Sequence, residues 1–501
     1  MLDLIPATFE DFEHEAKLGN VVPVVRTVLA DMHTPVGAFM RVAANADYAF
    51  LLESIEGGER LARYSFLGAN PWMIARGRGS QTIVEKNGER EVRNQNAVEF
   101  LREYFCGQKL ASRPGLPPLA GGAVGYLAYD AAKLFEPILS SNGAEARGTD
   151  DAVWMFFRTI VAFDRVRQQM EIVSVVLTDK AEGNRDRLRE LYQRAVAETK
   201  DVEESLRQNS TPPALAPDGV KESDAQFESN WPRPEFEAAV ETVKEHITAG
   251  DCYQVVIAQK FTKPTSAPPL QIYRALRSTN PSPYMYFLRM GAETIIGASP
   301  EMLIRCHGRQ LEYRPIAGTR RRGATESEDE ALGEEMRRDE KEVAEHTMLV
   351  DLGRNDLGKV SEYGSVQVDS LMTIERYSQV QHLVTSLRAR LREGLDRFDS
   401  LASCFPAGTV TGAPKIRAMQ IISELEPANR GVYAGAVLYV DYAGNLDSCI
   451  AIRTIELRGG IATVEAGAGI VADSVPAKEF EECLNKAGAL FRAIELAESG
   501  L

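Results

Sequence analysis

The apolar runs of this chain are joined by hairpin turns and long excursions, not by the regular strand–helix–strand alternation that builds a parallel sheet. The clearest case is Gly459-Gly460, set between apolar runs at 449–457 and 461–466. Two adjacent glycines supply the positive φ angles that a two-residue hairpin turn demands. Residues 434–442, 294–297, 48–52 and 81–85 read as further strands, and 153–164 with 169–176 as a strand pair. Helical periodicity marks 179–199 with Asp179 as N-cap, 235–249 closed by Gly250, 330–352, 414–426 with Pro414 in its first turn, and 477–497. Such a mixture specifies an α+β fold.

Residues 201–234 break the pattern. They carry Asn209-Ser-Thr-Pro-Pro213, Pro217-Asp-Gly219 and Trp231-Pro-Arg-Pro234, with dense charge and poor periodicity, and read as a linker or surface loop between an N-terminal domain (1–200) and a C-terminal domain (235–501). The 501 residues are 44% hydrophobic, enough for a large core. A net charge of -15 argues against broad nucleic-acid binding, which needs a basic surface. An acidic protein that handles an anionic substrate must gather positive groups locally or borrow a cation. None of the six cysteines sits in a C-x-x-C pair, so neither a zinc site nor a disulfide framework is expected. Met1 to Glu15 lacks the basic and apolar regions of a signal peptide, and no uninterrupted apolar run reaches ~18 residues. The expectation is a cytoplasmic protein that does not enter a membrane.

Two carboxylate pairs stand out. Glu342 and Glu345 are three apart on one helix; Glu479 and Glu482 are three apart on another, with Lys486 following. Each set falls on one helix face. Such pairs can be ordinary solvated faces with Lys341 and Lys486 as ion-pair partners. If the two faces meet, the repulsion calls for a hard divalent cation, and oxygen ligands with room for water and substrate suit Mg2+. Phe405-Pro-Ala-Gly-Thr-Val-Thr-Gly-Ala-Pro-Lys415 runs into a helix start that can attract anions, but its spacing is not that of a P-loop. Ala466-Gly-Ala-Gly-Ile470 is a second glycine loop, and Arg453 could grip a carboxylate. Taken alone, a glycine-rich turn is more often only a turn; together with the metal and the arginine the two loops suit a small dicarboxylate.

These pieces, in order, resemble the chorismate-utilising enzymes: anthranilate, aminodeoxychorismate, isochorismate and salicylate synthases. The matching stretches are Gly250-Asp-Cys-Tyr-Gln-Val-Val256, Gly297-Ala-Ser-Pro-Glu301, Pro315-Ile-Ala-Gly-Thr-Arg320, Asp339 to Asp356, Phe405 to Lys415, Gly435-Ala-Val437, Ile452-Arg453, Gly467-Ala-Gly469 and Glu481 to Lys486. Leu51-Leu-Glu-Ser54 and Arg63-Tyr-Ser65 resemble the N-terminal domain of the anthranilate synthases. The resemblance implies an α/β sandwich of largely antiparallel sheets with outer helices. It implies that Glu342, Glu345, Glu479 and Glu482 hold Mg2+, which binds the ring carboxylate. Arg453, Tyr433 and the Gly469 backbone would hold the enolpyruvyl carboxylate, with Thr409, Lys486, Gly467, Gly318 and Thr319 lining the pocket. Glu301 would protonate the departing C4 hydroxyl, and His382 would help eliminate pyruvate.

Two positions separate the reactions within the family. Water-using members carry Lys where Gln254 stands, and aminodeoxychorismate synthases commonly carry a nucleophilic Lys where Ala317 stands. Gln254 and Ala317 together imply direct amination by ammonia and an anthranilate product, the first step of tryptophan biosynthesis. No cysteine lies in the nucleophile turn of a glutaminase, and the chain ends soon after Lys486. A separate glutamine amidotransferase subunit, and so a hetero-oligomer, is expected. The resemblance also implies a tryptophan inhibitor site at Glu53, Ser54, Pro283, Tyr284, Met285, Val437 and Tyr439. The competing readings are an aminodeoxychorismate synthase component and, from another class, a nonenzymatic anion- or nucleotide-binding regulator.

Overall fold

The computed structural model describes residues 4–55, 63–141, 150–208, 226–377 and 380–500. Among them, two sheets of 13 and 12 strands stack face to face with antiparallel pairing. The first runs Val21–Leu29, Gln169–Leu177, Thr159–Asp164, Tyr64–Ala69, Tyr48–Glu53, Tyr284–Met290, Glu293–Ser299, Thr454–Arg458, Ile461–Ile470, Gln254–Pro264, with short strands at its edges. The second runs Ile316–Arg321, Val380–Arg390, Gln310–Tyr313, Met302–His307, Leu446–Ile450, Ala436–Asp441, Gly122–Leu127, Ala152–Phe157, Met73–Arg78, Gln81–Lys86, Glu89–Arg93. This is the α+β sandwich that hairpin-joined apolar runs call for.

Both sheets draw strands from either side of residues 201–234. In the first, Tyr48–Glu53 pairs with Tyr284–Met290, Leu51 opposite Phe287. Alternate residues point into the sandwich, where Phe50 and Phe157 meet edge-on at 4.7 Å. The buried Trp154 donates its indole N–H to the Ala97 carbonyl at 3.1 Å. Each such large side chain contributes roughly 1.5–3 kcal/mol through burial. Helices Arg233–Ala249, Pro269–Thr279 and Pro476–Glu498 cover the outer face of the first sheet, and Glu340–Val360 lies against Ile316–Arg321 and Val380–Arg390.

Five sequence expectations need correction. Residues 153–164 are two strands, Ala152–Phe157 and Thr159–Asp164, which belong to different sheets. Residues 449–457 likewise divide between Leu446–Ile450 and Thr454–Arg458. A continuous apolar run conceals such crossovers, because both halves are buried. The 330–352 helix is two, Glu326–Arg338 and Glu340–Val360, because Asp339 accepts the Lys341 and Glu342 N–H groups and so starts a new helix. The helix expected from 179 begins at Arg185, capped by Asn184 and not by Asp179, which lies in a 3₁₀ turn. Within the expected linker, residues 209–225 lie outside the described residues. Trp231 is instead buried against Phe236, with centroids 5.2 Å apart, and 201–207 complete the helix Arg185–Arg207.

A buried ion pair pins the segment after helix Lys415–Leu425 to the strand Gln254–Pro264 and to Val410. Arg430 is 2% exposed; it bonds Glu426 at 2.6 Å and the Val256 and Val410 carbonyls at 2.7 Å. Arg430→Leu strands the Glu426 carboxylate, and denaturant unfolding should show a loss of about 3–5 kcal/mol.

Candidate active site

Two adjacent crossovers between the sheets create the site. Glu301 lies where the chain passes from Glu293–Ser299 to Met302–His307, and Arg453 where it passes from Leu446–Ile450 to Thr454–Arg458. The Ile450 N–H donates to the Glu301 carbonyl and the Ala298 N–H to the Arg453 carbonyl, both at 3.1 Å, which stitches the crossovers together. Glu301 is 6% exposed. Burial pushes its pKa up to about 8, against the opposing influence of the Thr409 hydroxyl and the Ile316 N–H. Thr409 Oγ1 is itself buried without a well-formed hydrogen bond. A carboxyl of this kind keeps its proton at neutral pH.

His382 sits opposite Thr319 in the paired strands Val380–Arg390 and Ile316–Arg321, where a bulge at Gly318 (φ 64°) turns the Gly318 carbonyl toward the ring. His382 Nδ1 lies 3.0 Å from that carbonyl and 3.1 Å from Thr319 Oγ1. A carbonyl only accepts, so Nδ1 carries the hydrogen and Nε2 keeps a free lone pair. Burial lowers the His382 pKa, and the Arg453 charge adds to that, against the Gly318 bond and Glu375. The imidazole is therefore a neutral base.

Gly318 is also the link to the acidic helix, since a Cβ there would lie 3.2 Å from Glu342 Oε2. Glu342 accepts from Arg320 at 2.9 Å, and Arg320 also reaches Asp339 at 3.0 Å. On the second helix Glu482 pairs with Lys486 at 2.6 Å, and Lys486 donates to the Gly467 carbonyl at 2.9 Å. The two acidic faces act on each other. Burial raises the Glu345 pKa, then the charges of Glu342 and Glu482, with Lys486 and Lys341 opposing. Burial also raises that of Glu479, with Glu482 adding and Ser474, Lys341 and Lys486 opposing. Among the described residues, no three Asp, Glu, His or Cys side chains are grouped closely enough to hold a metal ion. Glu342 and Glu482 are turned toward Arg320 and Lys486. The donor set nevertheless fits a hard divalent cation: four carboxylates, two of them destabilised as anions by burial and by one another. Coordination would require Glu342 and Glu482 to turn from their present partners.

Arg453 adopts φ 53° at its crossover. Among the described residues its guanidinium makes no hydrogen bond or ion pair; Tyr433 and Glu482 are its electrostatic neighbours. Gly467 and Gly469 admit side chains across their strand. A Cβ would come within 3.0 Å of Tyr433 Oη at the first and 2.4 Å of Gln254 Nε2 at the second. Ala317, 8% exposed, brings only a methyl group to this region. The Gly-rich stretch 405–415 serves as a support: Lys415 is bound to Asp356 at 2.7 Å and to the Cys404 carbonyl at 3.3 Å, and Gly412 packs against the Gln254 carbonyl. It positions Thr409 and does not offer Lys415 to an anion.

A separate cavity of about 770 Å³ opens between the sheets and gathers Glu53, Ser54, Pro283, Tyr284, Met285, Val437 and Tyr439. None of Glu301, His382 or the paired helix glutamates lines it. Glu53 is already engaged by Tyr273 at 2.7 Å and Arg277 at 3.0 Å, with Arg165 at 3.7 Å. Among the described residues Ser54 Oγ is buried without a partner.

The family described as chorismate binding enzyme matches residues 48–492. The chain belongs to this family. Within the chorismate binding enzymes it is similar over its whole length to the anthranilate synthase component 1 proteins. It is 45% identical to that of Acetivibrio thermocellus and 43% to that of Pseudomonas putida, each covering 98% of both chains. The crystal structure of anthranilate synthase component I from Streptococcus pneumoniae TIGR4 superposes with a TM-score of 0.75 at 35% identity, covering 92% of this chain and 98% of that one. The menaquinone-specific isochorismate synthase MenF from Escherichia coli shares the fold, with a TM-score of 0.68 at 19% identity over 98% of this chain and 99% of its own.

Some of what shapes this chorismate binding enzyme's site escaped sequence reasoning. Arg320, which holds Glu342, stands in a stretch the family resemblance had singled out, just after the bulge at Gly318. The Ile316 N–H beside Glu301 and the Arg305–Asp447 pair at 2.8 Å in the large cavity carry no sequence signal, since both depend on contacts between distant segments.

Proposed function

We propose that this chain is the large subunit of an anthranilate synthase, acting in a cytoplasmic hetero-oligomer at the first step of tryptophan biosynthesis. The observation that carries the reading is a carboxyl held protonated, Glu301, against the strand Ile316–Arg321, whose paired strand presents a neutral imidazole, His382. Chorismate must lose a hydroxide from C4, a poor leaving group, and Glu301 is built to supply the proton. Ammonia forms the new bond at C2, and Ala317 offers no competing nucleophile. His382 Nε2 then accepts a proton as pyruvate leaves and the ring becomes aromatic. Thr409 steadies the Glu301 carboxyl. Arg453, whose guanidinium makes no hydrogen bond or ion pair among the described residues, grips the enolpyruvyl carboxylate with Tyr433 and the Gly467–Gly469 backbone. When bound between Glu342, Glu345, Glu479 and Glu482, Mg2+ would supply the positive centre for the ring carboxylate. Ammonia comes from a glutamine amidotransferase partner, or from ammonium salts in its absence. Incubating the pure chain with chorismate, Mg2+ and ammonium should give a fluorescent product with the mass of anthranilate. Aminodeoxychorismate as the product, or no Mg2+-dependent loss of chorismate, would overturn this reading.

The large cavity is proposed as the site of feedback inhibition by tryptophan. The orphaned Ser54 hydroxyl and the apolar walls of Pro283 and Met285 support it. Ser54→Phe, by filling the cavity, should raise the inhibitory tryptophan concentration at least about tenfold and leave uninhibited turnover near the parent value. Steady-state assays with and without tryptophan check both halves.

A further inference from the structure

Trp72 carries an unusual charge environment. Arg158, Lys180 and Lys86 lie 4.3, 4.7 and 5.3 Å from its ring centroid. Burial and then the charges of Arg158, Lys86 and Arg194 push the Lys180 pKa down to about 8, and no acidic group acts on it in return. Among the described residues none of these four cations forms an ion pair, although the chain as a whole has a net charge of -15. Among the same residues Arg158 Nε and Trp72 Nε1 are also buried without hydrogen-bond partners. Backbone hydrogen bonds anchor Arg158 and Trp72. Arg158 is the crossover residue between Ala152–Phe157 and Thr159–Asp164, its carbonyl accepting from the Val175 N–H at 2.9 Å. Trp72 precedes Met73–Arg78 and donates its backbone N–H to the Phe156 carbonyl at 2.9 Å.

Three cations gathered at one ring, with the Arg194 charge acting on Lys180, repel one another, and a bound anion would offset that repulsion. A single carboxylate would neutralise one of them. A tetrahedral dianion can accept from the guanidinium and from two ammonium groups at once. We propose that Trp72, Lys86, Arg158, Lys180 and Arg194 form a binding site for a small phosphate-class dianion, separate from both the catalytic residues and the large cavity. Inorganic phosphate and a phosphate monoester share this chemistry, and the two are tested side by side.

The experiment titrates inorganic phosphate and glycerol phosphate into the full chain without Mg2+, reading heat and tryptophan emission. The comparison is the double variant Lys86→Met/Lys180→Met, whose turnover of chorismate should match the parent and so report an intact fold. Saturable binding of either probe, weakened at least about tenfold in the double variant, supports the site, and the tighter probe identifies the free ion or the monoester as its ligand. No saturation by either probe overturns the proposal, as does equal affinity in parent and variant. Weaker assembly with the glutaminase partner in the double variant, with no phosphate binding by the parent, also overturns it by assigning the patch to a protein contact.

Discussion

Glu301→Gln is expected to lower kcat by about 10²–10⁴-fold, the usual contribution of a positioned general acid, with little change in chorismate affinity. The substitution keeps the shape and the Ile316 N–H contact but cannot deliver a proton to the C4 hydroxyl. Because the parent carboxyl keeps its proton up to about pH 8, parent turnover should decline as pH rises through about 8, and the variant's residual rate should lack that limb. Stability also falls with rising pH, but over a lower window. From pH 4.5, the carboxyl's ordinary value, up to about 8, the folded protein holds a proton that the unfolded chain has released. The parent therefore loses stability across that window as pH rises. Glutamine has no such cost, so thermal melts between pH 5 and 8 should show the variant gaining on the parent. A variant that is slow and also unstable at every pH would point to a packing defect.

Glu345→Ala and Glu482→Ala are each expected to reduce anthranilate formation by more than about a hundredfold, with the fold retained. Neither side chain belongs to a buried apolar cluster. Glu345 is destabilised by Glu342 and Glu482, and removing it relieves that repulsion. Circular dichroism and thermal melts should match the parent or improve on it, which separates a lost cation ligand from a damaged helix. Full activity in either variant would remove that residue from the metal site.

Much of this architecture could be read from the sequence because its signals are local. The Gly459-Gly460 hairpin, the Gly250 helix stop with φ 85° and the i, i+3 glutamate pairs each sit within a few residues, and the sandwich follows from them. The crossovers were not legible. Residues 153–164 and 449–457 look like single strands because both halves are apolar, yet Arg158 and Arg453 carry the chain from one sheet to the other. Arg453 was identified as a ligand-gripping residue, but its place on a left-handed turn beside Glu301 depends on hydrogen bonds between segments about 150 residues apart. The Glu53 carboxylate shows the same limit: its engagement by Tyr273 and Arg277 arises from a pairing between the first and second halves of the chain.

The most direct test uses the Glu301→Gln protein, which binds substrate without turning it over at speed. Chorismate is titrated calorimetrically into this protein with Mg2+ and, separately, with the ion chelated away. If the opposed glutamates of Glu340–Val360 and Pro476–Glu498 assemble a cation site that captures the ring carboxylate, affinity should fall at least about tenfold on chelation, and Glu482→Ala should abolish the difference. Equal affinity with and without the ion would contradict the account, whatever the rates.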